Sequence, residues 1–226
     1  MHRKATSSGY GLKARFVNAL GGALAALVVM FAQPELVRAD DAKVILALGD
    51  SLTAGYGLDQ AEAFPVQLQA ALRALGLNAT VINGGVSGDT SAGGRSRLEW
   101  LLAEPVDGVI VELGANDGLR GLDPGQTREN LDWILTTLKQ RDIPVLLSGM
   151  YAPPNLGKDY GAEFNAIYPE LAQKHTVKLD PFFLEGVAAD PNLNQADGIH
   201  PNAEGVAMIV KRLTPKVQEL LSQSRE

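Results

Sequence analysis

Apolar and polar positions alternate in blocks along most of this chain. Val44 to Leu48 is an uninterrupted apolar run, short enough for a buried strand, and it stops at Gly49-Asp50-Ser51. Phe64-Pro65 opens a helix with proline at its first position; Leu68, Leu72 and Leu75 mark its apolar face and Gly76 its end. Ala79 to Ile82 reads as a second strand closed by Asn83-Gly84-Gly85, followed by a small-residue loop (86–94) and a helix to about Ala103 carrying Leu98, Leu101 and Leu102. Gly108 to Leu113 is a third strand, broken by a Gly/Asn/Asp-rich stretch at 114–118.

Asp123-Pro124 caps a helix with a clear stripe at Leu131, Ile134, Leu135 and Leu138. Ile143 to Ser148 is a fourth strand, residues 160–174 a helix whose end Pro169 obscures, and Val177 to Leu179 a fifth strand. After an irregular segment (181–194), Asn202 caps a long helix with Val206, Ile209, Val210, Leu213, Val217 and Leu220 on one face and a kink expected at Pro215. Strand and helix alternate five times. That pattern predicts an α/β fold: a five-stranded parallel sheet between two helical layers, joined by right-handed crossovers.

The first forty residues break the pattern. Basic residues (Arg3, Lys4, Lys13, Arg15) precede a mostly apolar run from Val17 to Ala32, and Val37-Arg38-Ala39 puts small residues where a signal peptidase cuts. The apolar run is shorter than the ~18–20 residues of a spanning helix. Residues 1–39 are therefore expected to be a cleaved signal peptide directing a periplasmic or secreted protein, with 40–226 as one catalytic-size domain and no stable membrane insertion afterwards. Residues 40–226 hold 15 basic and 25 acidic residues, a net charge of −10. Such a surface disfavours nucleic acid and anionic lipid as partners. There is no cysteine, so disulfides, thiolate-bound zinc and a thiol nucleophile are excluded.

In a parallel sheet, the loops leaving the strand C-termini share one edge, where ligands bind. Four such loops carry polar residues: Ser51, then Ser87-Gly88-Asp89, then Asn116-Asp117, then Asp197-Gly198-Ile199-His200. A nucleophilic serine needs a base. Of the two histidines after residue 40, His175 lies in a charged connection at the opposite edge and His200 at the right one. Asp197, three residues earlier, can orient the imidazole. Gly88 and Asn116 can donate to an oxyanion. Each of these residues, taken singly, is equally a cap or turn residue. A metal hydrolase using Asp50, Asp89, Asp117, Asp197 and His200 is an open alternative, although one histidine is few for such a site. A carbohydrate O-acetyl esterase and a non-catalytic binding protein are further alternatives.

Gly49-Asp50-Ser51-Leu52, Gly88, Gly114-Ala115-Asn116 and Asp197-x-x-His200, in this order, resemble the four signature blocks of the SGNH (GDSL) hydrolases. The strings at 111–121 and 197–202 are similar to the bacterial periplasmic branch known variously as arylesterase, acyl-CoA thioesterase I or lysophospholipase. The similarity spans residues 43–221. It implies a flavodoxin-like three-layer fold, with Ser51 as nucleophile, His200 as base, Asp197 as orienting acid, and an oxyanion hole from the Ser51 and Gly88 N–H groups with the Asn116 side chain. The substrate implied is a small acyl ester, with no cofactor and no metal, and a monomer is the favoured state. Ala115 departs from the family, where glycine is common. From their loop positions, Leu119, Leu122, Tyr151, Pro153, Pro154 and Leu156 are expected to wall an acyl groove. The acidic surface and the leader make acyl-CoA, a cytoplasmic polyanion, an incidental substrate.

Overall fold

The computed structural model describes residues 42–222; the signal peptide expected at 1–39 lies outside them. Five strands, β1 (Lys43–Gly49), β2 (Ala79–Gly85), β3 (Gly108–Glu112), β4 (Val145–Ser148) and β5 (Lys178–Asp180), form one sheet in the order β2-β1-β3-β4-β5. Every pairing is parallel. This is the doubly wound order of flavodoxin-like folds, in which the chain reverses its winding direction beside β1 and opens a crevice at the strand C-termini. The central strands are apolar because helices cover both faces: Ile45, Leu46, Leu48, Val109, Ile110 and Val111 are fully buried.

The helices are α1 (Ser51–Ala54), α2 (Phe64–Ala74), α3 (Ser91–Leu101), α4 (Ala115–Leu119), α5 (Pro124–Gln140), α6 (Lys158–His175) and α7 (Ala203–Ser222). The α2 and α7 helices pack together on one face, and α3, α5 and α6 on the other. The stripes read from sequence are the buried ones: Leu131, Ile134, Leu135 and Leu138 of α5, and Val206, Ile209, Val210, Leu213, Val217 and Leu220 of α7. Asp123 caps α5 through the Gly125 N–H, and Asn202 caps α7 through the Gly205 N–H. None of the helices among the described residues is long and apolar enough to cross a membrane.

The α6 helix passes through Pro169 and ends at His175, close to the 160–174 read from sequence. Two local expectations change. The stretch after β3 is not a loop but the short helix α4, entered through Gly114 at φ +113°. Asn83-Gly84-Gly85 does not close β2 but extends it beside the end of β1. The glycines there serve close approach rather than turning. A Cβ on Gly84 would meet the Ala47 carbonyl at 2.8 Å, and one on Gly85 the Ala54 amide nitrogen at 2.3 Å. The β2 backbone thus abuts α1, the helix that begins with Ser51.

Gly85→Ala should therefore force α1 away from the sheet, costing about 1–3 kcal/mol by overpacking. Thermal melting and ester hydrolysis measured together check this. A variant with native melting temperature and activity contradicts the close-packing explanation.

Candidate active site

The site begins where β1 runs out. Gly49 is confined: a Cβ would lie 2.0 Å from Thr53 Oγ1 and 2.5 Å from Glu112 Oε2. The chain then turns directly into α1, and the N-cap is Asp50, whose Oδ1 accepts the Leu52 N–H at 3.0 Å. Ser51 is thus the first helical residue rather than the cap. Its hydroxyl faces out of the turn, and its amide is one of those a helix start leaves without an internal partner.

His200 Nε2 lies 2.9 Å from Ser51 Oγ, and His200 Nδ1 lies 2.7 Å from Asp197 Oδ2. Asp197 Oδ1 accepts the backbone N–H groups of Ile199 (2.9 Å) and His200 (3.0 Å). Those two amides, His200's first, together with the imidazole hold the Asp197 pKa down to about 2. A carboxylate ionised at all working pH can only accept, so Nδ1 carries the proton and Nε2 is left to accept from Ser51. The loop bearing this pair is closed on itself: Gln195 N–H donates to the His200 carbonyl at 2.8 Å, and Gln195 Nε2 reaches the carbonyls of Tyr56 and Pro201. The Tyr56 ring lies against the His200 ring, centroids 4.7 Å apart.

Asn116, on α4, donates through Nδ2 to Asp50 Oδ2 at 3.1 Å. An acceptor-only carboxylate fixes which end of the amide points to it and leaves the second N–H of that nitrogen free to donate beside Ser51. Gly88 sits at φ +84° on the loop after β2, and its carbonyl accepts from Arg120 at the end of α4. Loops from two strands are thereby tied together. Asp117, next to Asn116, is buried and accepts from Ser91 N, Ser91 Oγ and Thr127 Oγ1 at 2.8, 2.5 and 3.0 Å, which pins α4 to α3 and α5.

Sequence reasoning missed two supports. Arg97, on α3, donates to the carbonyls of Gly84 and Gly49 and to Asp89, clamping the ends of β1 and β2. Glu112 lies fully buried behind Ser51; its Oε2 accepts from Thr53 Oγ1 at 2.7 Å, and its Oε1 has no partner among the described residues. Burial, reinforced by the Asp50 charge, pushes its pKa well above the usual range. Burial also raises Asp50, to about 6, against the opposing pull of the Leu52 N–H and Asn116. Nothing local marks Arg97 or Glu112; their partners lie 8 to 62 positions away.

A cavity of about 190 Å³ adjoins Ser51 and His200. Of the groove residues expected from sequence, Leu119, Tyr151 and Pro153 line it, whereas Leu122, Pro154 and Leu156 do not. Leu52, Met150, Phe182, Leu184 and Ile199 complete its wall. Phe182 and Leu184 come from the irregular segment after β5, and Phe182 stacks on Tyr151 at 4.6 Å. A larger hollow of about 720 Å³ lies at the opposite edge, around Ile143, Thr176 and Lys178, and contains none of these groups. His175 lines that hollow and pairs with Asp132, away from Ser51. The carboxylates weighed as metal ligands are not gathered: Asp89 pairs with Arg97, Asp117 with Ser91 and Thr127, and Asp197 with His200.

Residues 47–208 match the model of the GDSL-like lipase/acylhydrolase family. The chain belongs to this family. It is 41% identical over 186 residues to thioesterase 1/protease 1/lysophospholipase L1 of Escherichia coli K12, covering 82% of this chain and 88% of that one. It is also 41% identical over 189 residues to an arylesterase of Vibrio mimicus, covering 83% and 94%. Among solved structures, the SGNH-hydrolase family esterase AlinE4 superposes with a TM-score of 0.67 at 52% identity, over 79% of this chain and 96% of that one.

The two raised and lowered carboxyls predict opposite pH effects on stability. Asp50 binds its proton more tightly folded than unfolded, so its contribution falls as pH rises from about 4 to about 6. Asp197 does the reverse: its contribution is complete above about pH 4 and is lost as pH falls toward 2. In melting curves, Asp50→Asn should reduce the fall between pH 4 and 6 and leave the acid limb in place. An unchanged slope across pH 4–6 contradicts the assignment.

Proposed function

We propose that this hydrolase cleaves carboxylic esters through an acyl-enzyme, with Ser51 as nucleophile, His200 as general base and then acid, and Asp197 as the group that orients and stabilises the imidazolium. The observation that carries the reading is the continuous chain from Asp197 to His200 Nδ1 (2.7 Å) and from His200 Nε2 to Ser51 Oγ (2.9 Å), on loops from opposite ends of the sequence. His200 takes the Ser51 proton as Oγ attacks the ester carbonyl. The tetrahedral oxyanion is met by the amides of Ser51 and Gly88 and by Asn116 Nδ2. The imidazolium then protonates the leaving alkoxide, and water repeats the sequence on the acyl-serine.

The acyl chain lies in the cavity walled by Leu119, Tyr151, Pro153 and Ile199, and the alcohol leaves past His200. Lysophospholipids and thioesters fit the same scheme, as the name of the Escherichia coli relative indicates for that protein. Residues 1–39 act as a cleaved leader for export to the periplasm or beyond, supported by their basic start, apolar run and Val37-Arg38-Ala39 exit.

With p-nitrophenyl esters, Ser51→Ala should lose roughly 10³-fold or more in kcat while folding normally. Asn116→Ala should lose about 10²–10³-fold in kcat with a smaller change in KM. Activity persisting in Ser51→Ala rules out the acyl-enzyme. A loss in Asn116→Ala confined to KM rules out its oxyanion role.

A further inference from the structure

Nine large apolar side chains are exposed among the described residues, and six of them lie on the connections that leave the strands at the edge holding Ser51 and His200. Tyr56 follows β1, Val86 follows β2, Leu119 and Leu122 follow β3, Tyr151 follows β4, and Ile199 lies on the loop that brings His200 to the site. Each is between 40% and 53% exposed. Isolated exposed apolar residues need no explanation, but a ring supplied by every exit loop of the sheet does. Leu119, Tyr151 and Ile199 also line the cavity, so rim and cavity form one continuous apolar surface.

From this we propose that the rim is a docking surface for a zwitterionic lipid surface, such as a lysophospholipid micelle, from which the ester's acyl chain passes directly into the cavity. The proposal rests on the esterase reading of the same site. Two further observations choose the occupant. The cavity, at about 190 Å³, is smaller than the roughly 300–1,000 Å³ that usually encloses a ligand, so a long acyl chain entering it must lie partly along the rim. The electrostatics select among lipids. Residues 42–222 carry 14 basic and 22 acidic side chains, and the exit connections bring Asp59, Glu62, Asp123 and Asp197 to this edge alongside Arg120 and Lys158. Such a face is repelled by anionic bilayers and unopposed at a surface of zero net charge.

The test uses the purified chain and the double variant Val86→Ser/Leu122→Ser, both positions outside the cavity lining. Binding is measured by flotation with phosphatidylcholine vesicles, pure and doped with phosphatidylglycerol. Hydrolysis is measured on monomeric p-nitrophenyl acetate and on lysophosphatidylcholine across its critical micelle concentration. The native protein should float with phosphatidylcholine, less so as phosphatidylglycerol is added, and its rate should rise on crossing the micellar threshold. The double variant should keep its p-nitrophenyl acetate activity within about twofold and lose about tenfold in vesicle binding and in micellar hydrolysis, the scale of two apolar anchors.

A native protein that stays with the aqueous phase overturns the proposal, as does stronger binding to phosphatidylglycerol or a double variant that binds as well as native. So does a rim that proves to join two copies of the chain, seen as a dimer that the double variant abolishes without vesicle binding by either. Ser51→Ala carried through the flotation assay separates the two readings. If it floats while no form hydrolyses any ester, docking stands and the catalytic scheme falls.

Discussion

The hydrogen bonds accepted by Asp50 set the geometry of the whole catalytic edge. One carboxylate oxygen takes the Leu52 N–H and so starts α1 at Ser51; the other takes Asn116 Nδ2 and so fixes the amide beside the nucleophile. Because the group is buried, its charge is expensive, and both partners are needed to keep it ionised. Glu112 behind it is pushed toward the neutral form by the same burial and by the Asp50 charge. The proposed nucleophile, Ser51, and the proposed oxyanion donor, Asn116, are thereby referenced to a single side chain.

Around that point the fold contributes rigidity in layers. Arg97 ties the carbonyl ends of β1 and β2, Asp117 ties α4 to α3 and α5, and Gln195 ties the loop of His200 to the loop after β1. The Asp197–His200 pair sits outside this buried frame, on the exposed side, where solvent can reach the imidazole and the leaving group can depart. A polar buried frame beneath an accessible base fits a reaction whose second half needs water.

Much of this was legible in the sequence. The five strands and the stripes of α5 and α7 follow from periodicity alone, because each element buries one face or all of itself. Ser51, Asp197 and His200 were legible because parallel topology sends the loops after successive strands to one edge. Less legible were features decided by contacts distant in sequence. Residues 115–119 have turn composition yet form a helix, held by the Ser91 and Thr127 hydrogen bonds to Asp117. Gly84 and Gly85 look like a turn yet continue β2, because the glycines allow it against Ala47 and Ala54. Of the residues expected to wall an acyl groove, Leu119, Tyr151 and Pro153 line the cavity beside Ser51, and Leu122, Pro154 and Leu156 do not; Met150, Phe182 and Leu184, which also line it, fall in segments with no periodicity to expose them.

The central claim is that the Ser51 hydroxyl, and no other group, forms the covalent intermediate. Peptide mapping by mass spectrometry after reaction with a fluorophosphonate tests it most directly. One adduct per chain on the peptide containing Ser51, formed in step with loss of esterase activity and prevented by His200→Ala, is the expected result. Full inactivation with the adduct on another residue, or esterase activity that survives complete modification of Ser51, would contradict it.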